Sequence, residues 1–373
     1  CDQVPWTDHG SDDWIVPEDP IPLLTLEESF AKGIDDLAED LSYVVQELAQ
    51  NERPAVKLVA LAEALKVRVI SKGPPLPYYR LKPLQKLLHG YLRRYPMFRY
   101  IGEPISEKTI RETFTKLKDG EKFLSGDYKD ATNNMHPYIA SVTVDLLCDR
   151  LALSDDLRKL FHKAMTGHWI ENPYQRSAKP AVIQEWVDAL GVHDRTELES
   201  HLARLNLLKP GAFQQNGQLM GSVVSFIILC LVNATVCLIS KLEGSGTDFK
   251  AVRFSSVRLQ VNGDDFVMAG SPEVYRLWRR VAAMTGMEES VGKTFFSDQF
   301  LNMNSREFLV EKTGRLADGW TVRLKEVPFV NLGLMEGMKR SSGIQDLGVC
   351  GVERGLHDEG PLHHRCIELL KTA

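Results

Sequence analysis

The stretch VRLQVNGDDFVMAG, residues 257–270, decides how the rest of the chain is read. Val257, Leu259 and Val261 alternate with polar residues, Asn262 and Gly263 supply a turn that tolerates positive φ, and Phe266 and Val267 return. This is the pattern of a β-hairpin. At its tip Asp264 and Asp265 set two carboxylates side by side. Like charges that close resist joint ionisation, and a bound cation relieves the conflict. Alone the triplet is weak, because an ordinary solvated turn uses the same residues.

A second acid stands in a similar setting. Asp127 follows the apolar Phe123 and Leu124 at a strand end, inside SGDYKDATNN (residues 125–134). A strand-end Asp is commonly a turn or cap residue, but pairing with the hairpin changes its meaning. Phosphoryl transfer by two metals needs carboxylates from separate strands around ions about 3.5–4 Å apart, and Asp127, Asp264 and Asp265 form such a set. Mg²⁺ suits them, with Mn²⁺ as a substitute, because it takes a few carboxylates together with substrate phosphates.

Two further segments carry candidate binding groups. In GQLMGSVVSF (residues 217–226) the glycines before a helix let backbone N–H groups approach a phosphate or ribose closely, and Ser222 stands at the helix start. The plainer reading is a flexible loop with Ser222 as N-cap. Asn233 lies inside the apolar helix that follows, where it needs a partner, either a sugar hydroxyl or a backbone carbonyl. In LKVRVISKG (residues 65–73) strand alternation puts Lys66, Arg68 and Lys72 on one face, a set able to clamp a triphosphate or merely to be solvated.

Composition bounds these readings. The chain has 373 residues, 43% hydrophobic and 25% charged, as in ordinary globular proteins, and a net charge of -5. The charge is segregated. Between Lys66 and Arg99 there are nine Lys or Arg and no acid, whereas residues 26–52 are strongly acidic. The basic window suits phosphates although the whole chain does not. Six scattered cysteines show no CxxC pair and no disulfide framework, which fits a reducing compartment. No secretory signal opens the sequence, so the expectation is the cytoplasm, with an organelle left open. Residues 223–239 approach membrane-span length, yet Ser225, Asn233 and Thr235 and the missing basic flank favour a buried helix.

Along the chain, residues 1–22 read as an irregular arm. Thr25 and Glu28 form a capping box before an amphipathic helix with apolar positions from Leu26 to Leu48. A short strand ends at Gly73, and Pro74, Pro75 and Pro77 predict an extended crossing before a helix over about 83–94. Another helix is predicted over 106–117. After the turn at Thr132, Asn133 and Asn134, helical periodicity runs to about Leu205. A helix starting at Ser271 and Pro272 runs to about Met284, and strands recur near 308–310 and 321–324.

Taken in order, LKVRVISKG, SGDYKDAT, GQLMGSVVSFIILCLVN, NGDD, VGKTFFSDQFLNMNSREF and GLMEGMKRS make the chain resemble the RNA-dependent RNA polymerases of the ourmia-like viruses (botourmiaviruses), relatives of the narnaviruses. The resemblance covers about Lys66 to Arg340. It implies an α+β right-hand polymerase, with an antiparallel palm sheet flanked by helices, helical fingers and a partial thumb. The fingers would take residues 1–118, the palm 119–315 with a helical fingers insertion at about 137–210, and the thumb would begin over 316–373.

The same resemblance assigns roles. Lys66, Arg68 and Lys72 match the strand that binds the incoming triphosphate, and Asp127, Asp264 and Asp265 match the metal-binding acids. Gly217, Gly221, Ser222, Ser225 and Asn233 match the loop and helix that position template and ribose. Lys293 looks like the general acid that protonates departing pyrophosphate. Residues 300–308, with Ser305 and Arg306, resemble the hairpin supporting the product 3′ end. One departure stands out: Asn133 occupies a place where the family pattern usually has an acid that helps recognise the ribose. The implied partners are single-stranded RNA template, nascent RNA and nucleoside triphosphates, with no transmembrane segment; protein partners are open. The competing readings are a catalytically inactive RNA-binding viral relic or replication scaffold, a reverse transcriptase, and a metal-dependent nuclease. Gly263 and Asn233 weigh against reverse transcription, and the basic strand and glycine loop have no task in a nuclease.

Overall fold

In this computed structural model the described residues are 26–63, 66–172, 179–205, 208, 211–248, 250 and 257–328. The N-terminal arm, the GLMEGMKRS segment and most of the expected thumb lie outside them. Two compact units are present, residues 1–47 and 48–373. The described part of the first is the helix α1, Leu26–Asn51, up to Glu47; its last turn counts with the second unit. The amphipathic helix read from the sequence is therefore present.

The second unit begins with strands β1 (Ala55–Glu63) and β2 (Lys66–Lys72) and helix α2 (Pro75–Leu92). A 3₁₀ turn at Pro96–Phe98, helix α3 (Glu107–Thr113) and strands β3 (Lys116–Lys118), β4 (Lys122–Gly126) and β5 (Tyr128–Lys129) follow. Next come helices α4 (Ala131–Asn134), α5 (Pro137–Arg150) and α6 (Asp155–Met165), strand β6 (Trp169–Glu171), helices α7 (Pro180–Leu190) and α8 (Arg195–Arg204), and strand β7 (Gly211–Phe213). Helix α9 (Ser225–Gly244), strands β8 (Leu259–Asn262) and β9 (Asp265–Gly270), and helix α10 (Pro272–Met284) lead to β10 (Glu288–Glu289), β11 (Phe295–Ser297), β12 (Phe300–Met303), β13 (Arg306–Leu316) and β14 (Gly319–Glu326). The mixture of helices and mainly antiparallel strands is an α+β architecture, as expected.

Three local expectations need correction. The prolines after Gly73 do not hold an extended crossing: Pro74 is the N-cap and Pro75 the first residue of α2, eight residues earlier than predicted. A proline costs little there because first-turn N–H groups have no intrahelical partner. Helix α3 stops at Thr113 rather than 117, and Lys116–Lys118 instead pairs with β14. Its start is as read, with Ser106 and Thr109 in a reciprocal cap. Ser222 is not the N-cap of α9, which is Val224.

The central sheet has the order β11-β4-β9-β8, with every neighbouring pair antiparallel. Both faces are covered, so β9 reads as an unbroken apolar run rather than an alternating one. Leu124, Phe266 and Met268 face a core built with α5, α6, α9 and α10. Phe123, Val267 and Ala269 face the opposite way, onto Phe114, Leu301 and Phe308. Helix α9 has a window of mean hydropathy 2.1, long and apolar enough to cross a membrane, but 67% of that window is buried against this protein core. Trp278 of α10 is fully buried, a burial that stabilises by about 3 kcal/mol. A second sheet, β2-β1-β6-β7, carries the basic strand. A third, β12-β13-β14-β3, flanks the central one.

Candidate active site

Strand β4 ends at Gly126, opposite Phe266 of β9, so the next residue, Asp127, emerges beside the start of β9 at Asp265. The β8–β9 turn is made by Gly263 and Asp264, with Asn262 opposite Asp265 still in the ladder. Gly263 has φ +69° and Asp264 does not share the positive sign, the pattern of a type II′ turn. The sequence reading placed that turn one residue early. Both ends of the acidic set thus sit at one end of two paired strands.

What fixes the turn is helix α9. The Gly263 N–H donates to Cys230 Sγ at 3.2 Å. Asn233 Nδ2 donates to the carbonyls of Gly263 (2.9 Å) and Asp264 (3.0 Å). Asn233 Oδ1 accepts from the Tyr128 hydroxyl at 2.9 Å, and that hydroxyl accepts from Trp278 Nε1 at 2.9 Å. Tyr128 directly follows Asp127, so one buried chain of hydrogen bonds ties together the backbones that carry the acids. The rings of Tyr128, Phe266 and Trp278 stack beneath it with centroids 5.2–5.9 Å apart. Helical spacing explains the grip: Phe226, Cys230, Asn233 and Cys237 fall on one stripe.

Asp127 is also clamped from the other side. Its N–H donates to Thr294 Oγ1 (3.4 Å), and its carbonyl accepts from the Thr294 hydroxyl (3.1 Å) and the Ser290 N–H (2.9 Å). The loop so fastened sets Lys293 Nζ 3.7 Å from Asp127 Oδ2. Strand β11, which follows, pairs with β4.

The electrostatics record how close these groups are. Burial, then the charges of Asp264 and Asp127, push the Asp265 carboxyl up to about 7, while Lys293 pulls it down. Asp264 is raised as well, chiefly by burial and further by Asp127, against backbone hydrogen bonds and the Arg68 guanidinium. Arg68 of the basic strand therefore acts on Asp264. Among the described residues no three His, Cys, Asp or Glu side chains lie close enough together to chelate an ion as they stand. The chemistry of the donor set nevertheless suits a hard divalent cation: three carboxylates from two neighbouring strand ends, the two hairpin acids partly desolvated.

The remaining sequence candidates are distributed as follows. Lys72 is exposed, and Lys66 stands opposite Glu63 in the β1–β2 ladder. Ser71 between them binds the glycine loop: its N–H and hydroxyl both donate to the Met220 carbonyl, at 2.6 and 2.8 Å. Gly221 has φ +120°, and a side chain there would come within 2.1 Å of the Ser71 carbonyl. Gly217 donates to the Met135 carbonyl at 2.9 Å. The loop's close approach is thus to the protein's own backbone. Ser222 is buried, and Ser225 donates to the Ser222 carbonyl at 3.1 Å. Asn233 is 0% exposed and its amide is fully engaged by protein groups, the backbone-carbonyl alternative rather than the sugar one. Asn133 is exposed. Ser305 sits at the β12–β13 turn with φ +60°, and Arg306 pairs with Glu326 at 2.5 Å. Sequence reading missed Tyr128, Cys230, Trp278 and Thr294, whose apolar or neutral character gives no chemical signal.

Two outcomes follow. Tyr128→Phe leaves Trp278 Nε1 and Asn233 Oδ1 short of a partner and should lower unfolding free energy by about 2 kcal/mol in chemical denaturation; an unchanged midpoint would discard the hydrogen-bond chain as a brace. The second concerns pH. The Asp265 carboxyl is raised from 3.8 in the unfolded chain to about 7 in the fold. Between those values the folded state holds a proton the unfolded state has released, so stability falls as pH rises through that window, by at most about 1.4 kcal/mol per unit. Asp265→Asn should flatten this part of the thermal-midpoint profile of the metal-free protein, and a slope equal to the parent's would show that Asp265 is not the group responsible.

Comparison with known proteins agrees with the resemblance read from the motifs. No family model matches the chain. The chain is similar to the RNA-dependent RNA polymerase of Ourmia melon virus (isolate Melon/Iran/VE9), at 29% identity over 290 residues, or 74% of this chain. It spans 29% of the length of that relative. The chain's similarity is thus to an ourmia-like viral RNA-dependent RNA polymerase.

Proposed function

We propose that this chain is the catalytic part of a viral RNA-dependent RNA polymerase, transferring nucleotides from nucleoside triphosphates to an RNA 3′ end on a single-stranded RNA template. The observation that carries the reading is the approach of Asp127, Asp264 and Asp265, from segments 137 residues apart in the chain, with Lys293 beside Asp127 and the charge of Arg68 felt by Asp264. The similarity to the ourmia-like polymerase supports it. In this reading the central sheet is the palm, the basic-strand sheet with the helices of residues 137–210 forms fingers, and the thumb begins after 316.

Asp127, Asp264 and Asp265 would hold Mg²⁺, or Mn²⁺ in its place. The ions supply a lowered barrier for the attacking 3′ hydroxyl and charge neutralisation at the leaving phosphate. The protein's own groups do the rest. Arg68, with Lys66 and Lys72 on its strand face, offers cations to the triphosphate. Lys293, exposed at its tip and tethered beside Asp127, is placed to give a proton to departing pyrophosphate. Ser305 and Arg306 lie on a hairpin fastened to the strand that leads to Asp127, since the Asn302 N–H donates to Ser125 Oγ at 2.9 Å. That anchorage suits support of a product end. Asn233 acts by bracing the acidic turn, so preference for ribose over deoxyribose needs another source.

Primer extension on an RNA template tests the proposal. Asp264→Ala should cut nucleotide incorporation by about 10³-fold or more, a loss of about 4 kcal/mol of transition-state stabilisation, while RNA binding persists; incorporation at the parental rate would end the metal-site reading. Parallel assays with deoxynucleotides separate this activity from reverse transcription. In the same assay Lys293→Leu should slow turnover by about 10²-fold with triphosphate affinity retained. A parental turnover number would take Lys293 out of the mechanism.

A further inference from the structure

Strand β8 is an edge of the central sheet, and beside it lies an open cavity of about 530 Å³ that none of the three catalytic acids lines. Gln260, which lines it, lies on β8 two residues before the strand ends at the acidic turn. Four arginines line the space, Arg93, Arg94, Arg99 and Arg258, together with the acids Glu103 and Glu112. Two are spent. Arg99 pairs with Glu103 at 2.6 Å and with Glu112, and Arg258 pairs with Glu121 at 2.7 Å. Arg93 and Arg94 are exposed, and among the described residues no carboxylate pairs with either.

The floor of the cavity holds a second, independent signal. Gln260 is 0% exposed; its Nε2 donates to Thr113 Oγ1 at 2.5 Å and its Oε1 has no partner. Turning the amide over would only make the nitrogen the orphan. It is one of nine buried side-chain atoms among the described residues without a protein partner, and of these it is the one that lines this cavity, open to an N–H or O–H donor from a ligand or a water. Pro96, Val257 and Leu259 add apolar wall. Two free guanidiniums, an apolar wall and a buried acceptor in a volume of small-ligand size describe a site for a phosphate joined to a flat, hydrogen-bonding body. Solvated arginines alone would account for neither the cavity nor the orphan amide.

We infer that this cavity is a second nucleotide site, in which Arg93 and Arg94 hold the phosphate and Gln260 takes a donor from the base or sugar. The ligand is a ribonucleoside phosphate, either free or at the 5′ end of an RNA strand. It is separate from the triphosphate position proposed above.

Calorimetric titrations in EDTA test this, using adenosine 5′-monophosphate and an eight-residue oligoribonucleotide with and without a 5′ phosphate. The whole chain should bind the mononucleotide, and the double variant Arg93→Ala/Arg94→Ala should bind it about tenfold or more weakly, at an unchanged thermal midpoint. Gln260→Met should weaken mononucleotide binding while leaving that of inorganic phosphate unaltered. Arg68→Ala, which removes a cation of the proposed triphosphate position and does not line this cavity, should leave this isotherm as it was, so failure of the polymerase reading and failure of this one are told apart. Tighter binding of the phosphorylated oligonucleotide than of the mononucleotide identifies an RNA end as the occupant, and equal binding a free nucleotide. Mononucleotide affinity equal in parent and arginine variant, or no binding of either phosphorylated probe, overturns the inference.

Discussion

The candidate site depends on one constraint: the backbone of the Gly263–Asp264 turn must be held by something other than its own ladder. A two-residue turn leaves its carbonyls without strand partners, and buried carbonyls have to be satisfied. Asn233 does this for two of them, and Cys230 takes the Gly263 N–H. Because both residues belong to the most apolar helix among the described residues, the grip is built into the core itself. The acids project from a backbone fixed at its root, and this rigidity lets three mutually repelling carboxylates stay near one another.

Holding them there has an electrostatic cost that the rest of the site only partly offsets. Lys293 answers Asp127 and lowers Asp265, and Arg68 acts on Asp264. Even so, Asp265 is left with its proton held to about 7. Burial is the largest cause in both hairpin acids, ahead of repulsion, so the strain is built into their position and would persist if one neighbour were neutralised. In the proposed reading a divalent cation would relieve it at both hairpin acids.

Legibility in the sequence followed chemistry. The hairpin, the strand before Asp127 and the long helix were readable because period-2 and continuous apolar runs report directly on burial. The acids were readable because charged residues at strand ends are conspicuous. The start of α2 misled, since Pro74 and Pro75 break structure in an interior yet begin it at a first turn, as Pro272 was correctly read to do for α10. The supports were invisible: Tyr128 and Trp278 look like ordinary core residues, and only their meeting, 150 positions apart, makes them a relay. Asn233 was readable as a polar residue needing a partner, but which partner is a tertiary fact.

The glycine loop bears on the departure at Asn133. The loop joins the basic strand to the segment after Asp127 through backbone atoms: Met220 accepts from Ser71, while the Gln218 N–H donates to the Thr132 carbonyl at 2.7 Å. Asn133 takes part through its own carbonyl, which accepts from Asn216 Nδ2 at 3.2 Å, and its side chain is left exposed. Exchange of an acid for an amide at this position therefore leaves the junction between cationic strand and acidic strand untouched. Whatever the side chain contributes to sugar recognition, it contributes from the solvent side. None of these contacts between the glycine loop, the basic strand and the segment after Asp127 uses the side chain at 133.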